Sequence, residues 1–475
     1  MARLLGRRSR YGFSIEKARG CHVDVTQCQL VDGAFPNLAA SCVSGHSKLT
    51  QDGGLQLRIH CAFGLLVSVL STSSFAQTPV PALSFMEKVA ASESEFQLGD
   101  ANLHGPGSTI LAAAINQARY VLIGEAHFSR EIPRFTVALC HFMAPQGLSA
   151  IAVETGPEAA QIVNANLRRS DRLARLSKFM SGNPDAMAFQ NGRDESDMAA
   201  ACAREAGPAF QVWGLDQEFF GSSGFLLDDM VAASTGPVAK AAIVRLKKLD
   251  RAATAEAIAS RSPSKFMIYT ITDRQMDEAR LAIAADGGPR ARELFDALSE
   301  TRSIYLASAN GQGDPNGRRA RLIKRTLSGY LAKAPTGSRI LMKFGDVHTA
   351  KGVNTLRQRD LGNFVAERAD GEGSSSLHIL VMGASGSLGG YNGVDQQVAI
   401  QPYTPMSDAN YSWLGDALAA RPKAMTGSDW LLIDLRRLRG RPTPDMPAGW
   451  RQLVQAYDLV AIAPKLTPAL VVGPK

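Results

Sequence analysis

The sequence predicts an α/β fold, a mostly parallel sheet covered by helices on both faces, with a helical insertion. Three observations lead there. Short apolar runs recur along the chain, and stretches of helical period separate them. The runs are apolar throughout, as strands buried on both faces must be. Between residues 226 and 333 such runs stop, and the chain becomes rich in Ala, Arg and Leu at helical spacing.

Taken in order, residues 77–100 read as a linker leading into a first helix. YVLIG (120–124) is a strand, and Ser129–Met143 a helix whose Ile132, Phe135, Leu139 and Phe142 form one apolar stripe. Ser129 is the expected N-cap, with Glu131 in the first turn, where negative charge is favoured. LSAIAVETG (148–156) is a second strand, followed by a helix over 158–169. A helix around 197–205 leads to the strand AFQVWGLD (209–216). Strands return as SRILMKFGD (338–346), LHILVMGA (377–384), WLLIDL (430–435) and DLVAIAP (458–464). The expected division is thus 77–225 and 334–475 as two halves of one α/β domain, with 226–333 as a helical insertion or cap.

The formal net charge is +8, but residues 1–76 hold eight of the 52 Lys and Arg and only four of the 44 Asp and Glu. The remainder is close to balanced, and no basic stripe with interleaved aromatics argues for nucleic acid. Arg58, the apolar run IHCAFGLLVSVL and the exit STSSFAQTPVPA read as a signal peptide over 58–76, cleaved after Ala76. The run is shorter than the roughly 20 apolar residues that cross a bilayer. The expectation is an exported protein, periplasmic or secreted, with no stable membrane span. Residues 1–57 lie outside the mature chain on this reading, translation starting near Leu55 or Leu57. Four of the six cysteines precede the cleavage point. Cys140 and Cys202 remain, as one disulfide or as two buried thiols.

Parallel sheets bind ligands at the carboxyl ends of their strands, and the acids and imidazoles gather there. Gly124-Glu125-Ala126-His127 follows the first strand, Glu154 the second and Asp216 the third, while Gly345-Asp346-Val347-His348 follows a later one. Two imidazoles and a carboxylate can hold a divalent metal with open positions. One imidazole can instead take a proton from water while a carboxylate orients it. Lys343, just before the second motif, either binds an anionic substrate or caps the strand.

GEAH, Glu131, the AVETG glutamate and the late GDVH resemble the erythromycin esterase-like, ChaN-like and Tiki-like superfamily, whose Tiki and ChaN branches share the arrangement GxxH…E…GxxH. RRARLIKRTLSGYL (318–331) resembles the Arg-containing helix before the second His, with Arg321 as the best match and Arg318 second. The resemblance implies an α/β fold with the site at the strand ends. It implies His127 as general base or metal ligand, Glu125 and Glu154 as its carboxylate partners, and His348 as second imidazole. Glu131, Asp216, Asp346 and Lys343 are then the candidate substrate-binding residues.

SGSLGGYNG (385–393) has the glycines of a dinucleotide loop, but no amphipathic helix follows and no acid closes a second strand. It reads as a loop near the site mouth. Tyr305 and the pair Phe219-Phe220 are candidates for a pocket wall or for the core. No G-x-S-x-G elbow is present, so water is the expected nucleophile. The expected function is an exported hydrolase of a small-molecule ester, lactone or amide. Arg321 and His348 would polarise the carbonyl, and a divalent Zn, Mn or Co held by His127, His348 and Glu154 is the variant mechanism. The alternative is a non-catalytic haem- or iron-binding protein of the ChaN-like type.

Overall fold

A computed structural model describes residues 83–100, 102–407, 411–414, 429–440 and 444–473. The expectations for residues 1–57 and 58–76 fall outside them. The first elements are a short helix α1 (Phe85–Ala91), a strand β1 (Glu93–Leu98), a two-residue edge strand β2 (Leu103–His104) and helix α2 (Pro106–Gln117). The described part of the expected linker, residues 83–100, therefore holds a helix and a strand. ESEFQL buries only Phe96 and pairs with a distant strand, so no local apolar run announces it.

The central elements are β3 (Tyr120–Glu125), α3 (Glu131–Met143), β4 (Leu148–Val153), α4 (Pro157–Asn166), α5 (Arg172–Gly182), α6 (Arg193–Ala206) and β5 (Gln211–Gly214). Every residue of β3 is buried, and its side chains alternate between two cores. Val121 and Ile123 meet Leu111 and Ile115 of α2, Phe135 and Leu139 of α3, and Met198 of α6. Tyr120 and Leu122 face Ile323, Leu327, Leu361 and Val365 on the other side. Arg130, not Ser129, is the N-cap of α3, because Ser129 is drawn into a bridge with Pro468. Cys140 on α3 and Cys202 on α6 form a disulfide, their Cα atoms 5.3 Å apart, which decides between the two alternatives.

Helices fill the next stretch: α7 (Ser223–Ala233), α8 (Pro237–Ser260), α9 (Met267–Thr270), α10 (Asp273–Asp286), α11 (Gly288–Ala309) and α12 (Pro315–Lys333). Most pack on a core of their own, including Leu226, Ile243, Leu294 and Leu298. Helix α12 differs, since its Ile323 and Leu327 return the chain to the sheet.

The last part holds β6 (Arg339–Gly345), a one-turn helix α13 (Asp346–Thr349), α14 (Leu361–Gly371), β7 (Ser376–Gly383), β8 (Ser387–Gly390), β9 (Ala399–Pro402), β10 (Trp430–Asp434), α15 (Ala448–Ala456) and β11 (Leu459–Ala463). The main sheet runs β2-β1-β10-β11-β7-β3-β6-β4-β5, and β8 with β9 forms a separate hairpin. Strands from β11 to β5 are parallel, while β10, β1 and β2 extend the sheet antiparallel. The neighbours β3, β6 and β4 lie in the middle of the parallel part, and their carboxyl ends carry the motifs.

Candidate active site

In β3–β6 pairing Glu125 lies opposite Gly345, and Ile123 opposite Lys343. This register sets the two motifs side by side. A Cβ on Gly345 would lie 2.9 Å from His127 Nε2 and 3.3 Å from Glu154 Oε2, so the glycine is needed for space. Its φ of −50° is one any residue adopts. The glycine therefore serves close approach and not a sharp turn.

Glu154 is the shared centre. Its Oε2 accepts from the Gly345 N–H at 2.7 Å and lies 3.4 Å from His127 Nε2. Its Oε1 accepts from Arg319 Nη2 at 2.5 Å and lies 3.6 Å from His348 Nε2. Each imidazole is held from behind by a further carboxylate. His127 Nδ1 donates to Glu125 Oε1 at 2.9 Å, and His348 Nδ1 to Asp360 Oδ2 at 2.7 Å. Arg319 Nε also donates to both oxygens of Asp216 at 3.0 Å. The His127 ring stacks on Phe189, with centroids 3.7 Å apart and planes 12° from parallel.

Burial opposes charge on Glu154, His127, His348 and Glu125, yet the pairing outweighs it. For Glu154 the imidazoles of His348 and His127, then Arg319, hold the carboxyl well below its usual range. Burial would lower His127, but Glu154 and Glu125 raise it to about 9. Burial likewise works against His348, and Asp360 turns the balance upward. For Glu125, burial is overcome by Lys343 and His127, and the carboxyl stays ionised. An ionised Glu125 requires that Nδ1 of His127 be the donor, which leaves Nε2 as the atom that gains or loses a proton.

Glu125, His127, Glu154, Asp216, Arg319 and His348 line a cavity of about 400 Å³. Phe128, Phe219, Phe220, Tyr305 and Tyr391 supply apolar wall, and Asp185, Asp216, Asp346 and Asp395 supply acid. Phe219, Phe220 and Tyr305 thus reach the cavity while also packing on the helical core. The glycine-rich segment 385–393 contributes β8, which forms one wall of the mouth. Of the six described non-glycine residues in the left-handed region, four, Phe128, Asp185, Phe189 and Asp395, line this cavity. Such backbone strain concentrates where a site over-determines the chain.

Several expectations need correction. Arg321 is exposed and faces Asp314, while Arg318 pairs with Glu300. Arg319 is the guanidinium at the cavity. Two residues of helix turn the chain by about 200°, so Arg319 and Arg321 point to opposite faces. Glu131 accepts from the Thr467 N–H at 2.7 Å and its hydroxyl at 2.6 Å, and so fastens the C-terminal segment instead of binding substrate. Lys343 is buried and donates to Glu125 and Glu195, out of reach of a ligand.

The metal variant does not fit either. Gly345 and Arg319 already donate to the two oxygens of Glu154, placing a fixed cation where the ion would compete. Among the described residues no group of three His, Cys, Asp or Glu side chains is arranged to hold a metal ion.

Asp360, Glu195 and Phe189 were not anticipated. Asp360 carries an ordinary helix-cap signal, and it does cap α14 through Oδ1 while Oδ2 holds His348. Glu195 lies on the buried stripe of α6 with Met198, Ala199 and Cys202, a place where a lone acid is conspicuous. Arg319 likewise sits four and eight residues before the buried Ile323 and Leu327. Phe189 has no such signal.

The sequence matches no family model and no curated protein. Solved structures do match. A point mutant of the erythromycin esterase EreC, in its open conformation, superposes with a TM-score of 0.56 over 79% of this chain and 98% of that one, at 14% identity. The chain has the erythromycin esterase fold. A succinoglycan biosynthesis protein shares it at a TM-score of 0.50 and 15% identity, over 81% of this chain and 97% of that one. A protein from Bacillus cereus does so at 0.50 and 12%, over 82% and 100%. At these identities the erythromycin esterase fold is what the likeness establishes, and the chemistry rests on the side chains themselves.

Proposed function

We propose that the chain is a hydrolase that activates water to cleave an ester, lactone or amide of a small molecule. The observation that carries this reading is the convergence of two imidazoles on Glu154 at the cavity wall, each with its Nδ1 fixed by a separate carboxylate. In the neutral form, His127 Nε2 accepts a proton from water as the oxygen attacks the carbonyl carbon. The negative charge on the carbonyl oxygen is met by His348 and by the Arg319 field. The imidazolium of His127 then returns its proton to the departing oxygen or nitrogen, and the bond to that atom breaks. The aromatic walls suit an amphiphilic substrate, and the acids of the lining disfavour an anionic one.

The raised pKa of His127 makes its neutral form scarce at pH 7. Hydrolysis is therefore expected to climb with pH and level off near the value of about 9 that His127 shows. The test is a panel of aryl, alkyl and lactone esters assayed from pH 6 to 10. His127→Ala is expected to lose about 10²- to 10⁴-fold in kcat, the range of one general base. Equal turnover by that variant would sink the reading.

Export remains part of the proposal. The Cys140–Cys202 disulfide supports an oxidising compartment. Mass spectrometry of the N-terminus of the protein from intact cells tests the cleavage after Ala76.

A further inference from the structure

Behind His127, the carboxylate of Glu125 is itself held by two buried charges, Lys343 and Glu195, that the proposed chemistry does not use. Glu125 Oε1 receives His127 Nδ1 from one side and Lys343 Nζ from the other. Lys343 Nζ continues to Glu195 Oε1 at 2.8 Å. Three separate elements meet here, since Glu125 ends β3, Lys343 lies in β6 and Glu195 stands in the first turn of α6. The side chains are 2–9% exposed, and neither Lys343 nor Glu195 lines the main cavity. Burying an ammonium between two carboxylates is costly unless geometry compensates, and such a row is no ordinary helix–sheet contact.

We propose that Lys343 and Glu195 are positioning residues for His127, fixing the Glu125 oxygen that orients the imidazole and so aiming Nε2 at the cavity. This rests on the reading of His127 as the water-activating base. Because His127 and Lys343 donate to the same oxygen, the place of that oxygen is set by Lys343, and Glu195 sets the place of Lys343. Phe189 fixes the plane of the ring by stacking but leaves rotation within that plane free, and the Nδ1 bond supplies the missing restraint. The remaining charges around His127 stand on its cavity side: Glu154 directly, with Arg319 and His348 reaching it through Glu154. None of them touches Nδ1. Burial pushes Glu195 up to about 7, and its Oε1 accepts from Lys343 whether the carboxyl is ionised or neutral.

The experiment compares Lys343→Met, Glu195→Ala, Glu195→Gln and the double variant Glu195→Gln/Lys343→Met in the full chain. Two readouts are taken. One is kcat and KM on an ester the wild type cleaves. The other is the ¹⁵N-edited imidazole spectrum, in which a Nδ1 proton held by Glu125 exchanges slowly and resonates downfield. Losing the aim of a reacting atom costs about 10²-fold per ångström, so Lys343→Met should lower kcat about 10- to 100-fold while KM stays within about twofold. Glu195→Ala should fall in the same way, and Glu195→Gln, which keeps the accepting oxygen, should restore most of the loss. The double variant removes one cation and one acid together, so it keeps the test alive if Lys343→Met does not fold; it should show the lowered kcat and a lost Nδ1 resonance. Unchanged kcat, or a fall matched by KM, in a folded Lys343 variant would overturn the proposal. Should the wild type cleave no ester, the hydrolase reading fails and the spectrum decides alone. Loss of the Nδ1 resonance in the double variant then upholds the positioning, and its persistence overturns it.

Discussion

The two Gly-acid-x-His segments end adjacent parallel strands and share the same residue types at the same spacing, yet they are built differently. In 124–127 the motif's own acid, Glu125, holds the Nδ1 of His127. In 345–348 that task falls to Asp360, twelve residues on, while Asp346 lines the cavity. His127 sits in a loop whose next residue, Phe128, has a φ of 60°. His348 belongs to a single helical turn, Asp346–Thr349, and is the more deeply buried of the pair. The reason lies in register. Glu125 is the last residue of its strand and points to the same side as Ile123, whereas position 346 falls one step past the opposing Gly345, already inside a turn. The comparison teaches that a short motif delivers a histidine to a place, and the surrounding fold chooses the carboxylate that orients it.

The sharpest way to break the comparison is to remove each imidazole in turn. If His127 is the base and His348 only stabilises developing charge, His127→Gln costs up to about 10⁴-fold in kcat and His348→Gln less, about 10²-fold. Equal losses, or the reverse order measured by steady-state kinetics, would exchange the two roles.

A smaller effect separates the two acids of the second segment. Asp360→Asn is expected to lower kcat about tenfold through loss of one charge-assisted hydrogen bond, while Asp346→Asn acts mainly on KM. A kcat loss confined to Asp346→Asn would show the motif acid to be the orienting one after all.

A further effect is on stability. His127 rises from 6.5 to about 9 on folding, so its ionic partners stabilise the fold fully below pH 6.5, and that contribution disappears as pH rises through about 9. The difference corresponds to roughly 3 kcal/mol. Thermal melts of the wild type should therefore fall more steeply from pH 7 to 10 than those of His127→Asn. Parallel melting curves for the two proteins would show that the imidazolium contributes nothing.

Much of this arrangement was written in local sequence. Apolar runs such as YVLIG and LHILVMG specify buried strands because every residue in them is removed from water. Intervening helical periods made the sheet parallel and thereby put Glu125, His127, Glu154 and His348 at one edge. The strands β1 and β2 at one end of the sheet were not legible, since a strand that buries a single Phe96 or Leu103 has no pattern strong enough to read.

By itself, then, the sequence determined the α/β class and placed Glu125, His127, Glu154 and His348 together at the carboxyl ends of the strands as candidates. Only the tertiary structure decided that Arg319 and not Arg321 completes the centre, that Asp360 holds His348, and that Lys343 and Glu195 stand behind Glu125. The physical reason is range. Burial and period act within a few residues, whereas Arg319 meets Glu154 across 165 residues, and Lys343 meets Glu195 across 148. Pairs so far apart in the chain are chosen by packing, and no local pattern encodes them.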